Sequence, residues 1–326
     1  MHKLKGSRIL LIGGAGFIGS HIVDQLIQEE PAEIRVLDNL VRGKEANLAK
    51  AMRSGKVTLI EGSLTDMHTL RSALRGVDYV FHLAALWLGE CVSNPRSAVE
   101  VNVVGTYNVV EACRDAGVKR VVYSSSASVY GNALTIPMTE EHPFNNRTFY
   151  GATKVAGEQF FRSFYDMHKL PYVGLRYMNV YGPRMDYKGT YVSVIMKVLD
   201  KIEAGQRPVI HGDGSQAYDF VHVEDVARCN ILALKAQVSD EFFNVGKGTK
   251  TTINELVQKL LKLTGSSLQP EYHAQEHIFV THRLGSTEKA ENLIGFKATK
   301  ELDEGLKSVV EWRRIDQAAV AERRAA

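Results

Sequence analysis

The chain has 326 residues, and 44% of them are hydrophobic, which is enough to build a packed core in one large or two modest domains. Forty basic residues against 37 acidic ones leave a formal net charge of +3, so we expect no nucleic-acid partner. Glycines interrupt the apolar N-terminal segment and no apolar run is long enough to span a bilayer, so we expect neither a signal peptide nor membrane association.

Short runs of β-branched residues alternate with helical patterns over the first 180 residues. The predicted strands read RILLIGG, IRVLDN, VTLIEGS, YVFHLAA, RVVYSSS and YVGLRYMN, and helical stretches over 20–29, 98–117 and 150–169 lie among them. This rhythm predicts an α/β fold with a Rossmann-type, doubly wound parallel sheet. After residue 180 the pattern changes to separate helices and a few short strands, which predicts a domain over 1–180 and a smaller, helix-rich C-terminal lobe over 181–326.

A glycine loop follows the first predicted strand. Gly14, Gly16 and Gly19 have the GxGxxG spacing, and Gly13 adds an overlapping GxxGxxG. Glycines let the backbone turn tightly and approach a pyrophosphate, while the following helix directs its free N–H groups at the phosphates. The loop therefore predicts a dinucleotide site.

The second predicted strand ends at Asp38, 19 residues after Gly19. A carboxylate at this distance can accept hydrogen bonds from both ribose hydroxyls of the adenosine half, and it repels a 2′-phosphate. NAD is therefore favoured over NADP, although Arg42 and Lys44 nearby leave NADP open.

The stretch YGATK places Tyr150 and Lys154 on one face of a predicted helix, because four residues make slightly more than one turn. A phenol has a pKa near 10, and lowering it by about three units requires roughly 4 kcal/mol from a neighbouring ammonium and other charges. Strand five ends in Ser124 to Ser126, at the sheet edge where open α/β sheets bind ligands. These groups predict a hydroxyl that orients a substrate alcohol, a phenol that exchanges its proton, and an amine that holds the phenolate beside a nicotinamide.

The chain resembles the extended short-chain dehydrogenase/reductases, and within them the nucleotide-sugar 4-epimerases of the UDP-glucose 4-epimerase type. The matching stretches cover nearly the whole length and read GGAGFIGSH, DNL, HLAAL, NPRSAVEVNVVGTYNVVEAC, SSSASVYG, YGATK, LRYMNVYGPR and GDGSQAYDFVHVEDVA. The resemblance implies that the first domain binds NAD and that the C-terminal lobe binds a nucleotide-diphosphate sugar.

The resemblance also implies roles for individual residues. The catalytic residues would be Ser126, Tyr150 and Lys154. The cofactor would contact Gly13, Gly16, Phe17, Ile18, Gly19, Asp38, Asn39, Ser63, Leu64, Leu83, Ala84, Ala85, Asn102, Ser124, Tyr150 and Lys154. The substrate would contact Trp87, Ser126, Tyr150, Asn179, Arg184, Tyr218 and Arg283.

Two positions depart from the family pattern, and a third, Trp87, allows two interpretations. Ser63 stands where relatives usually place an acidic residue toward the adenine, and Tyr218 stands where many have an arginine for the nucleotide phosphates. Arg283 and Arg184 are then the candidates for the diphosphate. Trp87 either stacks on the sugar or fills its loop.

The residues after the catalytic serine indicate the reaction. The 4,6-dehydratases of this family have an Asp–Glu pair there, whereas this chain has Ala127 and Ser128. The resemblance therefore implies 4-epimerisation of a UDP-sugar through a transient 4-keto intermediate. A 4,6-dehydratase or a 4-reductase remains an alternative, as does a non-catalytic NAD-sensing regulatory protein. By the same resemblance we expect a homodimer that pairs the helices over 98–117 and 150–169.

The cysteines indicate the cellular compartment, and one histidine pattern raises the question of a zinc site. Cys91, Cys113 and Cys229 are odd in number and lack metal or redox spacing, which predicts reduced thiols in a cytoplasmic protein. His273, Glu276 and His277 match an HxxEH zinc pattern, but that pattern needs a helix, and the surrounding proline and strand-like alternation argue against one. We predict no metal site.

Overall fold

The computed structural model of the protein describes residues 2–187, 193–274 and 282–325. Seven strands form one parallel sheet, in the order β11-β6-β5-β4-β1-β2-β3. The strands of the described residues are β1 (Arg8–Ile12), β2 (Glu33–Asp38), β3 (Val57–Glu61), β4 (Tyr79–His82), β5 (Arg120–Ser126), β6 (Tyr172–Tyr177), β7 (Asn179–Tyr181), β8 (Val209–His211), β9 (Ala217–Tyr218), β10 (Phe220–His222), β11 (Glu241–Val245), β12 (Thr251–Thr252), β13 (Glu271–His273) and β14 (His282–Arg283).

Helices cover both faces of this sheet and build most of the C-terminal part. They are α1 (Phe17–Leu26), α2 (Ala49–Met52), α3 (Met67–Ala73), α4 (Leu88–Ser93), α5 (Pro95–Ala98), α6 (Gly105–Asp115), α7 (Phe149–His168), α8 (Val194–Glu203), α9 (Val223–Lys235), α10 (Ile253–Thr264), α11 (Glu288–Ile294) and α12 (Leu302–Ala325). Short 3₁₀ turns occupy Ile27–Glu29, Glu45–Leu48 and Ala127–Val129.

The strand order confirms the predicted doubly wound fold and all six strands predicted from the sequence. Leu10 and Leu11 are neighbours on β1, yet they belong to different apolar clusters, because alternate side chains of a strand point to opposite faces. The sheet is thus buried on both faces. The chain runs from β1 outward through β2 and β3, then returns to β4 on the other side of β1. Such a reversal opens a crevice at the carboxyl ends of β1 and β4, where open α/β sheets bind ligands.

The sheet does not end at the predicted domain boundary. Its seventh strand, β11, comes from beyond residue 180 and pairs in parallel with β6, Phe243 lying opposite Leu175. Helix α9 packs against α1 on one face of the same sheet. The lobe predicted over 181–326 is therefore interrupted by residues that complete the first domain, and the division of the chain into two domains stays a prediction in this modified form.

The rest of the C-terminal part has its own core. Helices α8, α10 and α12 pack together through buried residues that include Ile195, Leu256 and Leu306. The small sheet β12-β9-β14 lies beside them. None of the helices described here is long and apolar enough to cross a membrane.

Two sequence predictions need comment. The helix predicted over 98–117 contains a π-helical segment, Val99–Val104, before α6 begins. Glu276 and His277 of the HxxEH pattern lie outside the described residues, while His273 belongs to β13 rather than to a helix.

Candidate active site

The glycine loop between β1 and α1 lines a cavity of about 420 Å³. Gly13 has a φ of +85°, and a Cβ atom there would lie 2.6 Å from the backbone nitrogen of Ala84. A Cβ on Gly19 would lie 2.5 Å from the Gly13 carbonyl oxygen, so only glycine lets α1 approach the loop this closely. Helix α1 begins after Gly16, and no side chain caps it. Its first N–H groups thus fit a phosphate.

Asp38 lies at the end of β2 and lines the same cavity. Its Oδ2 accepts a hydrogen bond of 2.9 Å from the Ala15 N–H, and its Oδ1 accepts one of 3.0 Å from the Leu40 N–H. Burial raises the pKa of this carboxyl, and the two backbone N–H groups act in the opposite direction. A carboxylate has about four acceptor sites, so capacity remains for a ribose diol.

Most predicted cofactor residues share this cavity. Those that line it are Gly13, Gly16, Phe17, Asp38, Asn39, Ser63, Leu64, Leu83, Ala84 and Ala85. Ile18 is different, because its side chain packs against the apolar core. The Ser63 hydroxyl lies 2.8 Å from that of Thr65, so it organises its own loop.

Three loops meet over the cavity through Arg42. The Arg42 guanidinium lies 4.1 Å from the centre of the Trp87 ring, a cation–π geometry, and its Nη2 lies 3.2 Å from Asp186 Oδ2. These contacts engage the Arg42 guanidinium, which lines the cavity and which the sequence left open as a 2′-phosphate ligand. They also place a cation on the Trp87 ring. Stacking of a sugar on Trp87 stays a prediction.

Asn102 does not line the cavity but holds the wall that does. We define residues 83–87 as the cavity loop. Asn102 accepts a 2.7 Å hydrogen bond from the Leu86 N–H, donates a 2.8 Å bond to the Leu86 carbonyl, and donates another of 3.1 Å to Thr153 Oγ1 on α7. Asn102 is 2% exposed and belongs to the π-helical segment. It therefore connects the cavity loop to the helix that carries Lys154, and a direct contact of Asn102 with the cofactor stays a prediction.

Tyr150 lies in the first turn of α7, where Thr148 caps the helix. The Ser126 side chain lies close enough to the phenol to lower its pKa, so the predicted serine and tyrosine do lie side by side. Burial raises the pKa of Tyr150 to about 12, while the Ser126 side chain and the Arg283 charge act in the opposite direction. Desolvation thus outweighs the charges nearby, and the lowering of this pKa by the lysine together with a bound nicotinamide stays a prediction.

Lys154 is buried one turn further along α7. Its Nζ donates a 2.7 Å hydrogen bond to the Ser124 carbonyl and lies 5.7 Å from the centre of the Tyr150 ring. Burial lowers the pKa of Lys154 to about 8, against the effects of Cys91 and Glu158. Ser124 thus contributes its backbone here, while its hydroxyl lies 2.9 Å from that of Tyr177 in the core.

The predicted substrate residues of the C-terminal part lie near β9 and β14. Tyr218 and Arg283 are register partners in the pairing of these two strands. Arg283 is close enough to the Tyr150 hydroxyl to affect its pKa, and its Nε is buried without a hydrogen-bond partner among the described residues. The Asn179 Nδ2 donates a 3.2 Å bond to the Asp219 carbonyl. Arg283 therefore offers an unused donor beside the phenol.

Arg184 lies apart from that group, on the cavity of the glycine loop. Its Nη2 donates a 2.7 Å bond to Asp24 of α1, and its backbone φ is +68°, an unusual value for a residue with a side chain. Its Nη1 is buried without a hydrogen-bond partner in the described part of the chain. Sequence reasoning also missed Asp186, because its place opposite Arg42 depends on how two distant loops meet.

The comparisons with known proteins agree with this geometry. Residues 9–246 match the model of the NAD dependent epimerase/dehydratase family. The chain is 37% identical over 309 residues to a putative UDP-glucose 4-epimerase of Methanocaldococcus jannaschii, covering 94% of this chain and 98% of that protein.

Two solved structures are similar along nearly their whole length. One is a UDP-N-acetylglucosamine 4-epimerase from Methanobrevibacter ruminantium in complex with UDP-N-acetylmuramic acid, with a TM-score of 0.91, 34% identity and coverage of 96% of this chain and 99% of that one. The other is a dTDP-glucose 4,6-dehydratase from Streptomyces venezuelae with NAD bound, with a TM-score of 0.87, 30% identity and coverage of 95% and 98%. The resemblance drawn from the sequence motifs is confirmed, and the protein belongs to the NAD dependent epimerase/dehydratase family.

Proposed function

We propose that this protein is an NAD-dependent nucleotide-sugar 4-epimerase that acts on a UDP-sugar. The observation that carries the proposal is the convergence of Ser126, Tyr150 and Lys154 at the carboxyl end of β5, beside a glycine-loop cavity that contains Asp38. The relatives named as UDP-sugar 4-epimerases support the substrate class.

The residues present fit NAD. The glycine loop and the uncapped start of α1 would hold the pyrophosphate, and Asp38 would hold the adenosine ribose. When bound, NAD supplies the hydride acceptor and donor for the sugar carbon, together with a positive charge near the phenol. Arg184 reaches the same cavity and is in place to contact a phosphate.

The side chains around the phenol perform the proton chemistry. Ser126 orients the C4 hydroxyl by hydrogen bonding, and Tyr150 removes its proton as C4 becomes a ketone. Tyr150 returns the proton when C4 is reduced from the opposite face of the sugar ring. Lys154, fixed by the Ser124 carbonyl, provides the positive charge that favours the phenolate. Arg283 would bind the substrate diphosphate and leave the sugar free to turn.

The turn after β5 favours epimerisation over dehydration. The 3₁₀ turn Ala127–Val129 begins where Ser126 accepts a 3.1 Å hydrogen bond from the Ser128 N–H. Ala127 and Ser128 thus occupy the two positions at which the 4,6-dehydratases of this family have an Asp–Glu pair. Neither residue can act as the acid or base that an elimination requires.

The homodimer and the cytoplasmic location are part of the same proposal. Large apolar side chains are exposed on the two long helical segments that the family resemblance assigns to the dimer, and these are Val99, Val104, Tyr107 and Met167. Burying such side chains in a helix-to-helix contact would stabilise a dimer. The three cysteines are free and buried, which suits a reducing compartment.

A panel of UDP-, dTDP-, GDP- and CDP-sugars, with C4 configuration followed by proton NMR, tests the proposal. We expect UDP-sugars to be interconverted at C4 without net consumption of NAD. The variant Tyr150→Phe should keep NAD and lose turnover by several orders of magnitude. Loss of a sugar hydroxyl would indicate a dehydratase, net oxidation of added NADH a reductase, and bound NAD without any turnover the sensor alternative.

A further inference from the structure

A third ionisable side chain continues the line of the two catalytic groups on α7. Tyr150, Lys154 and Glu158 follow one another at intervals of four residues, so successive helical turns present them on one face. Glu158 is 1% exposed. A carboxylate so far from water requires charged and hydrogen-bonding partners, since an unpaired buried charge destabilises the fold by several kcal/mol.

Arg176 of β6 provides a two-point contact with this carboxylate. Its Nε lies 2.9 Å from Glu158 Oε1, and its Nη2 lies 2.7 Å from Glu158 Oε2. Arg176 Nη1 is itself held by the Tyr130 hydroxyl and the Glu140 carbonyl, each at 2.8 Å. Arg176 therefore holds the Glu158 carboxylate at two points and is itself held by two further groups, which fixes the position of the carboxylate.

The serine strand contributes the remaining contact. Ser125 Oγ donates a 2.5 Å hydrogen bond to Glu158 Oε1. Three consecutive residues of β5 thus each contact a different turn of α7, the pairs being Ser126 with Tyr150, Ser124 with Lys154, and Ser125 with Glu158. A polar run at a strand end, which is usually a solvated loop, here sets the position of a whole helix.

We propose that Glu158 is a positioning residue for the reaction: held by Arg176 and Ser125, it fixes the register of α7 on β5 and places a negative charge one helical turn from Lys154. This inference rests on the epimerase function proposed above, because it assigns a task to the Lys154 charge.

The charges around Lys154 support this role. The titratable groups that face the amine are Tyr150 and Glu158 from α7, Cys91 from α4, Tyr123 from β5 and His82 from β4. Burial raises the pKa of the Cys91 thiol and lowers that of His82 to about 3, so both are neutral at neutral pH. Of the two groups that act against burial at Lys154, Cys91 has the larger effect but only as a thiolate, so Glu158, paired with Arg176, is the one that carries a charge at neutral pH.

The test compares Glu158→Gln with Asp166→Asn, which removes an exposed carboxylate two turns further along the same helix. The proposal expects Glu158→Gln to move the high-pH limb of kcat/KM downward by about one pH unit and to lower kcat. Asp166→Asn should change neither. A Glu158→Gln enzyme with an unmoved high-pH limb overturns the proposal, because a merely structural carboxylate would alter the amount of folded protein and not the titration.

A second measurement does not depend on turnover. The ε-carbon resonance of Lys154, identified by its loss in Lys154→Arg, is titrated by NMR in the wild type and in Glu158→Gln. The apparent pKa should fall in the variant, and an unchanged value overturns the proposal even if no UDP-sugar is converted. If the wild type converts no sugar while the Glu158→Gln variant shows this fall in the pKa of Lys154, the epimerase function alone is rejected.

Arg176→Lys serves if Glu158→Gln does not fold. Lysine keeps a positive charge beside Glu158 but loses the two-point contact. We then expect a lower kcat with an unmoved high-pH limb. Full kcat in this variant would overturn the positioning role, and a shifted limb would overturn the assignment of the charge effect to Glu158.

Discussion

Replacing Asn102 with alanine tests the link between the cavity loop and the catalytic helix. The change removes the acceptor for the Leu86 N–H and the donor to the Leu86 carbonyl, at 2.7 and 2.8 Å. The N–H is then left without a partner in a partly buried place, while the carbonyl keeps only its weak 3.6 Å contact with Cys91 Sγ. An unsatisfied group destabilises a protein by about 1–3 kcal/mol, so we expect a loss of about 1–3 kcal/mol in the free energy of unfolding. Because Leu86 lines the cavity, NAD should also bind more weakly.

Urea unfolding at a fixed NAD concentration measures the stability change, and calorimetric titration measures the NAD affinity. Asn108→Ala is the matched control on the same helical segment, because Asn108 is only partly buried and donates a long bond of 3.4 Å to the Leu64 carbonyl. It should cost less than about 1 kcal/mol. If Asn102→Ala unfolds like Asn108→Ala and binds NAD like the wild type, the cavity loop does not depend on this amide.

Three further outcomes are expected. Gly19→Ala would place a methyl group 2.5 Å from a backbone oxygen of the glycine loop, so the purified protein should contain almost no NAD, as read from its absorbance; normal NAD content would contradict the close approach. Because burial lowers the pKa of Lys154 to about 8, the protonated amine is lost as pH rises through that value, and kcat/KM should fall there; a flat profile to pH 10 would show that the charge is not needed. Asp186→Asn removes the ion-pair partner of Arg42 and so frees this arginine for a 2′-phosphate. The preference for NAD over NADP in competition binding should then fall about two- to fivefold, as expected for a partly exposed ion pair. An unchanged preference would mean that Trp87 alone holds Arg42.

The parts of the fold that local sequence determines were predictable. Buried parallel strands read as β-branched runs, and the glycine loop, Asp38 and the YxxxK pair follow from spacing alone. Strand β11 was not predicted, because its pairing with β6 joins residues about 70 positions apart and depends on where α9 packs. The π-helical segment was missed for a similar reason, since Asn102 finds its partners on two other elements.

The electrostatics of the site were the least predictable property. The spacing of Tyr150 and Lys154 gives their direction on the helix but not their depth, and depth determines the pKa of both groups. The ion pair between Glu158 and Arg176 could not be predicted from the sequence for the same reason. A glutamate on a helix usually faces solvent, and only the fold shows that this one is enclosed by β5 and β6.

The late arrival of β11 limits how this protein can be divided or recombined. A fragment that stops after residue 180 would leave β6 as an open edge whose side chains are all buried in the full protein, which is a template for aggregation. During synthesis on the ribosome, about 65 residues after residue 180 must therefore be made before the sheet that carries the nucleotide cleft is complete. Chimeras that exchange sugar specificity between relatives should accordingly join beyond Val245 and graft the segment between β6 and α9 separately, instead of cutting once at the middle of the chain.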